Sequence, residues 1–194
     1  MVDRIVAAGR AVLAEEGYDA CSTNRIAARA GVSPGSLYQY FPDKAAVVAA
    51  VIDGWSEEVS ERVAASLADR VGEPGGAGMV RATVEALLAA IEVDPELLRV
   101  VAEELPVAQH KERRTTLERR VRELTATWLA VRPGASTAPD PATSAWVLVL
   151  ALEQLAVRWV LDRPPIPRER VVDELVALVT GYLSAPRRPA GARS

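Results

Sequence analysis

Three times in this chain a side chain that accepts hydrogen bonds stands directly before a proline, at Ser33-Pro34, Asp94-Pro95 and Asp140-Pro141. The first residue caps the free N–H groups of a helix. Proline then takes the first helical position, because it has no N–H to lose and its backbone angle is already near the helical value. Ser22 before Thr23 and Asp43 before Lys44 add two further caps. Behind these starts, apolar residues recur at intervals of three and four. The stripes are Ile5, Gly9, Val12, Leu13; then Val48, Ile52, Trp55, Val59, Val63, Leu67; then Val80, Val84, Leu87, Leu88, Ile91; then Leu97, Val101, Leu105; and Leu117, Val121, Leu124, Trp128, Val131. The alternation of a half-buried strand is almost absent. An all-α fold is predicted, with breaks at residues 72–76, at Pro133-Gly134 and at 163–167. Pro106 should end or kink its helix at Leu105.

Composition removes several function classes. One cysteine, Cys21, and one histidine, His110, in 194 residues build neither an intrachain disulfide nor a His/Cys metal cluster. No metal and no cofactor are expected. Neither a serine–histidine–aspartate set nor a phosphate-binding glycine loop can be assembled, which leaves an enzyme as the weakest rival reading. The longest uncharged apolar run, from Pro141 to Leu152, is well short of the roughly 20 residues of a membrane helix, so no membrane partner is expected. Asp3 beside Arg4 does not begin a secretory signal, and a cytoplasmic protein is the expectation. The formal net charge of -3 argues against a broadly basic nucleic-acid coat and leaves local placement to decide.

The stretch from Ser22 to Lys44 is the most informative. A helix of about two turns runs from Thr23 to Ala30, Gly31 supplies the positive φ that stops it, and Ser33 caps a second short helix ending near Tyr40. This is a helix-turn-helix pattern. Ile26, Ala27, Ala30, Val32, Leu37 and Phe41 form its inner face. Ser36, Tyr38, Gln39 and Tyr40 lie opposite, where hydroxyls and a carboxamide can bond base edges or phosphates, and Gly35 leaves room for close approach. On spacing alone the same pattern fits a plain helical hairpin in an all-α core.

The residues themselves add to this. Ile5-Val-Ala-Ala-Gly-Arg-Ala-Val-Leu-Ala-Glu-Glu-Gly-Tyr18, then Thr23, Ile26-Ala27, Ala30-Gly31-Val32-Ser33, Gly35, Leu37-Tyr38, Tyr40-Phe41 and Asp43-Lys44 stand in register without a gap. This stretch resembles the DNA-binding domain of the TetR family of bacterial transcriptional repressors. The resemblance implies that Thr23, Tyr38, Tyr40 and Lys44 bind phosphates, that Ser33 caps the recognition helix and touches the backbone, and that Ser36 and Gln39 face the bases. Thr23 and Lys44 each begin a helix, where free N–H groups favour an anion. Arg25 and Arg29, one turn apart, are placed to flank a duplex. Two departures stand beside the match. The first helix starts with little basic arm ahead of it, and residues 1–44 balance Arg4, Arg10, Arg25, Arg29 and Lys44 against Asp3, Glu15, Glu16, Asp19 and Asp43. Binding should therefore rest on placed contacts rather than on a basic field.

Beyond Leu67 the resemblance is architectural, implying a helical domain that holds a small molecule and pairs through its last two helices. Trp55, Met79, Trp128 and Trp146 are candidate pocket walls, with Thr83, Thr125, Gln109 or His110 as polar anchors. Leu148, Leu152, Leu155 and Trp159 make one stripe, while Val172, Val176, Val179 and Leu183 adjoin Val171, Leu175, Leu178 and Tyr182. So wide an arc predicts burial against the core on one side and a second subunit on the other, giving a homodimer. The expected organisation is an N-terminal three-helix helix-turn-helix domain over 1–47, a helical effector-binding and dimerisation domain over 48–184, and a flexible tail over 185–194. The expected function is a regulator that binds a palindromic operator in double-stranded DNA as a homodimer and is released by a small-molecule effector. A helical binding or interaction module without DNA is the other rival.

Overall fold

A computed structural model of the chain describes residues 1–68, 77–105, 119, 121–130 and 140–185. All regular elements among them are helical: α1 (Val2–Ala20), α2 (Thr23–Ala30), α3 (Pro34–Tyr38), α4 (Lys44–Ala68), α5 (Ala77–Ile91), α6 (Pro95–Arg99), α7 (121–130), α8 (Pro141–Asp162) and α9 (Arg168–Ser184). A single π turn, Val100–Glu104, continues α6. The expected break at 72–76, the one at Pro133-Gly134, and the tail beyond 185 lie outside the described residues.

The capping side chains act as their positions in the sequence predict. Ser22, Ser33, Asp94 and Asp140 accept from the backbone N–H of Arg25, Ser36, Leu97 and Thr143 respectively. Asp43 accepts from Ala46 N at 2.8 Å, setting the start of α4. Thr143 holds the Asp140 carboxyl below its ordinary value. Gly31 closes α2 at φ 64 and ψ 38, the left-handed conformation that costs glycine nothing. Leu105 is extended, φ -76 and ψ 137, as a residue before proline must be, so the segment ends where Pro106 requires. One feature departs from the periodic reading. α1 is interrupted at Gly17, whose φ of 78 and ψ of 176 turn the next peptide out of the helical ladder.

Two packing units share one continuous core. In the first, α1 crosses α2 and α4, burying Ile5, Val12, Leu13, Ile26, Leu37 and Val47. Val51, Ile52 and Trp55 of α4 join that cluster to the rest. In the second, α5 packs on both α4 and α9, and α8 packs on α5 and α6. Ion pairs Arg168–Glu92 and Arg81–Asp173 tie α9 to α5.

This arrangement corrects part of the expected dimer face. Leu148 of α8 and Val172, Val176 and Val179 of α9 are buried within the single chain, so the protomer core already occupies them. Leu152, Trp159 and Leu183 are half-buried against it, and only Leu155 of the eight is well exposed. The arc on α9 is wide because the helix is buried against its own chain, α5 above all. The membrane estimate also changes. α8 runs ten residues past the apolar stretch seen in the sequence, to Asp162, and by length and composition alone it is apolar enough to cross a membrane. Here it is a packed helix, with Ser144, Ala145, Leu148, Ala156 and Val160 as its buried stripe.

Candidate nucleic-acid interface and effector domain

The turn from α2 to α3 is held by hydroxyl pairs. Ser33 Oγ accepts from Ser36 N at 3.1 Å and lies 2.9 Å from Ser36 Oγ. Across the turn, Thr23 Oγ1 at the start of α2 lies 2.9 Å from the Tyr38 hydroxyl at the end of α3. Leu37, fully buried, anchors α3 from below, and Phe41 closes its C-terminal side. The short helix is thereby fixed with Tyr38 and Tyr40 about half exposed, at 51% and 48%, and with Gln39 exposed between them. A Cβ at Gly35 would come no nearer than 3.9 Å to Ser33 Oγ, so its value is an unobstructed approach rather than a special backbone angle. Thr23, Ser33, Gly35, Ser36, Tyr38, Gln39 and Tyr40 thus belong to one short motif with two polar cross-links.

The cations are placed differently from the expectation. Arg25 is paired with Glu16 and also donates to Ala20 O at 3.3 Å, while Arg29 is paired with Glu15. Both arginines therefore lie on the flank of α2 that meets α1, bound to its carboxylates. Hydrogen bonding from Arg29 holds the Glu15 carboxyl below its usual range. Lys44 is half-buried, donating from Nζ to Tyr18 O at 2.9 Å with its ammonium 4.1 Å from the centre of the Tyr18 ring. One of its three N–H donors is used there, and the residue is not fully buried. Arg10 spans the two packing units, contacting Asp94 at 3.0 Å and Glu58 at 3.0 Å. Burial opposes its charge, but the two carboxylates outweigh it and hold its pKa above the ordinary value. The pairing of α2 arginines with α1 was not legible in the sequence, since Glu15 and Glu16 are separated from them by a turn.

In the second unit the proposed pocket residues differ in burial. Trp55 and Met79 are buried core residues, and Trp128 is half-buried against the core. Trp146 is 51% exposed on α8, so it is a surface side chain rather than a wall. The hydroxyls of Thr83 and Thr125 donate to Met79 O at 3.0 Å and Val121 O at 2.8 Å in their own helices, so their protons are already used. Gln109 and His110 lie outside the described residues. An open cleft of about 290 Å³, lined by Glu92, Pro95, Trp159, Val160, Arg163 and Pro164, contains none of these candidates. Sequence reasoning passed over two residues that differ from all of them. Ser60 on α4 and Ser144 on α8 are buried, and their hydroxyls have no hydrogen-bond partner among the described residues. A serine in an apolar stripe gives no signal until its burial is known.

Comparison with known proteins accounts for both units. Residues 5–51 match the family described as bacterial regulatory proteins, tetR family, and residues 77–183 match the tetracyclin repressor-like C-terminal domain. The chain belongs to the TetR family. It is therefore a DNA-binding transcriptional regulator with a helix-turn-helix and a helical C-terminal domain. A TetR-family transcriptional regulator from Streptomyces coelicolor is 27% identical, with 96% of this chain and 99% of that one aligned at a TM-score of 0.66. A transcriptional regulator from Rhodococcus sp. Rha1, at 24% identity, aligns over 97% and 99% with a TM-score of 0.77. The fatty acid degradation regulator FadR from Bacillus halodurans, at 18% identity, aligns over 96% of each chain with a TM-score of 0.69. The last two show the shared TetR fold alone. None of the curated proteins matches in sequence. TetR-family regulators bind DNA and small-molecule ligands as dimers.

Proposed function

We propose that this chain is a cytoplasmic repressor that binds a two-fold symmetric operator as a homodimer and is released by a small molecule. Residues 1–47 read DNA and residues 48–184 hold the effector and the partner subunit. The observation that carries the reading is the pair of hydroxyl cross-links, Thr23–Tyr38 and Ser33–Ser36, which fix the α2–α3 turn and leave Gln39 and Tyr40 exposed. Placement before binding lowers the ordering cost of a contact. Gln39 supplies a carboxamide suited to bidentate pairing with adenine, and the Ser36 hydroxyl is the second base-facing group. Thr23, Tyr38 and Tyr40 contact phosphates. Arg25 and Arg29 brace α2 against α1 instead of meeting the duplex.

Ser60 and Ser144 are the polar anchors the described residues offer, because a buried hydroxyl without a partner is costly and a ligand that pairs with it relieves that cost. α4 begins at Lys44 and carries Ser60 beyond Trp55, so displacement of its far half reaches the reader through one helix.

Selection from a random duplex pool tests the function. The full chain should enrich an inverted repeat whose half-site centres lie at least one helical turn apart. Gln39→Ala should change the preferred bases within each half-site, with a loss of roughly 1–3 kcal/mol at the positions concerned. A pool that yields no palindrome would sink the proposal.

A further inference from the structure

The segment from Asp94 to Glu104 meets α1 at two points eight residues apart. At the first, Arg10 Nε donates to Asp94 Oδ2 at 3.0 Å, while Asp94 Oδ1 caps α6 by accepting from Leu97 N at 3.1 Å. At the second, the chain has broken at Gly17, and the N–H of Tyr18 that this break swings out of the ladder donates to Glu104 Oε2 at 2.8 Å. Glu104 is the last residue of the π turn. On the far side of the same residue, Tyr18 O accepts from Lys44 Nζ at 2.9 Å. The two peptide groups that flank Tyr18 therefore stand between a carboxylate from the C-terminal unit and the ammonium that opens α4.

Two features show that this contact is built into the chain. The φ of 78 at Gly17 is open to glycine and strained for other residues. A Cβ at that position would lie 2.8 Å from Glu104 Oε2, so the carboxylate approaches as closely as a glycine permits. Just beyond it, Tyr18 to Ala20 leads through Cys21 into Ser22, the cap of α2. Whatever holds the Tyr18 peptides sets where the α2–α3 pair sits relative to the start of α4.

We propose that residues 94–104 form a strap whose Glu104 carboxylate, acting through the peptides of Tyr18 on Lys44, holds the helix-turn-helix in its operator-binding position. Glu104 is a positioning residue and touches no DNA. The strap rests on the repressor reading above and adds to it a second route from the effector domain to the reader, separate from α4. Displacement of α6 withdraws Glu104, frees the Tyr18 amide and unseats Lys44, and the recognition helix loses its fixed angle.

The test uses the full chain with Glu104→Ala, which removes the acceptor, and Glu104→Gln, which keeps an acceptor oxygen without the charge. Amide hydrogen exchange is followed without DNA, beside light scattering and thermal unfolding. In Glu104→Ala, exchange should accelerate at Tyr18 and also across α2 and α3, with oligomeric state unchanged. Glu104→Gln should restore most of the protection. Affinity for the operator selected above should fall about fivefold or more in Glu104→Ala, a change of the size that couples distinct sites. Faster exchange confined to Tyr18, or an operator affinity within twofold of the parent, overturns the strap. If Glu104→Ala does not fold, Glu104→Asp, whose carboxylate is one methylene short of the Tyr18 amide, carries the test: loss of α2–α3 protection supports the strap, and full parental protection and affinity overturn it. If the parent selects no operator, the repressor reading fails, and the exchange result still decides for or against the strap.

Discussion

Glu15 and Arg29 show how a single ion pair links the helix-turn-helix to pH. Hydrogen bonding from the guanidinium holds the carboxyl below its ordinary value of 4.5 in the folded chain. A depressed folded pKa means that the pair contributes stability above the unfolded value and loses it as pH falls through the folded one. Glu15→Gln should therefore unfold at a lower temperature than the parent at pH 7, and the gap should close in buffers stepped down to about pH 3. A gap of constant size across that series would show that the pair is not the cause. Legibility at this scale divides by range. The Ser33 cap, the Gly31 stop and the Leu37 wedge involve neighbours within a few positions, and the sequence displayed all three. The partners of Arg25 and Arg29 come from α1, and Lys44 turns inward to Tyr18, so two arginines placed to flank a duplex and one lysine assigned to phosphate by resemblance are engaged by the protein itself.

Among the helices, α1 and α4 approach each other closely at a glycine. A Cβ at Gly9 would lie 2.9 Å from Val47 Cγ1 and 3.2 Å from Val51 Cγ2. Both neighbours are β-branched and stiff at χ1, so they cannot swing aside. Gly54, on exposed α4 surface, would place a Cβ with nothing within 4 Å. The two positions should respond with opposite sign in chemical denaturation. Gly9→Val should destabilise by roughly 1–3 kcal/mol through overpacking, and Gly54→Ala should stabilise by up to about 1 kcal/mol through helix propensity. Equal effects would mean that the α1–α4 contact is looser than its distances state. The periodic pattern put Gly9 on the buried stripe correctly, yet only the crossing helix explains why that position is the smallest residue.

Assembly is where burial in the protomer matters most for design. Val176 is 8% exposed inside the single chain, whereas Leu155 and Leu178 are 48% and 45% exposed on α8 and α9. An unpaired charge placed in a buried seam costs several kcal/mol. If the homodimer forms through α8 and α9, Leu155→Glu combined with Leu178→Glu should give folded monomers, with parental helicity by circular dichroism and half the mass by light scattering. Val176→Arg should instead lose the fold. A double variant that remains dimeric would move the interface elsewhere.

What the sequence determined by itself was local: the five capped helix starts, the left-handed stop at Gly31, the end of the α6 segment before Pro106, the all-α class and the register of the helix-turn-helix. Each depends on a backbone preference or a hydrogen bond spanning at most a few residues, and such terms are written in adjacent letters. Tertiary structure alone decided which apolar stripe faces its own core, as Val172, Val176 and Val179 do, and which remains for a partner. It also decided that Trp146 lies outside, that Glu15 and Glu16 hold the arginines of α2, and that Gly17 breaks α1 where Glu104 arrives. A stripe of period 3.6 specifies that one side of a helix is buried but carries no information about what covers it. Ion pairs follow the same logic, because a charge in the sequence has a sign and a position but acquires its partner only when distant segments pack.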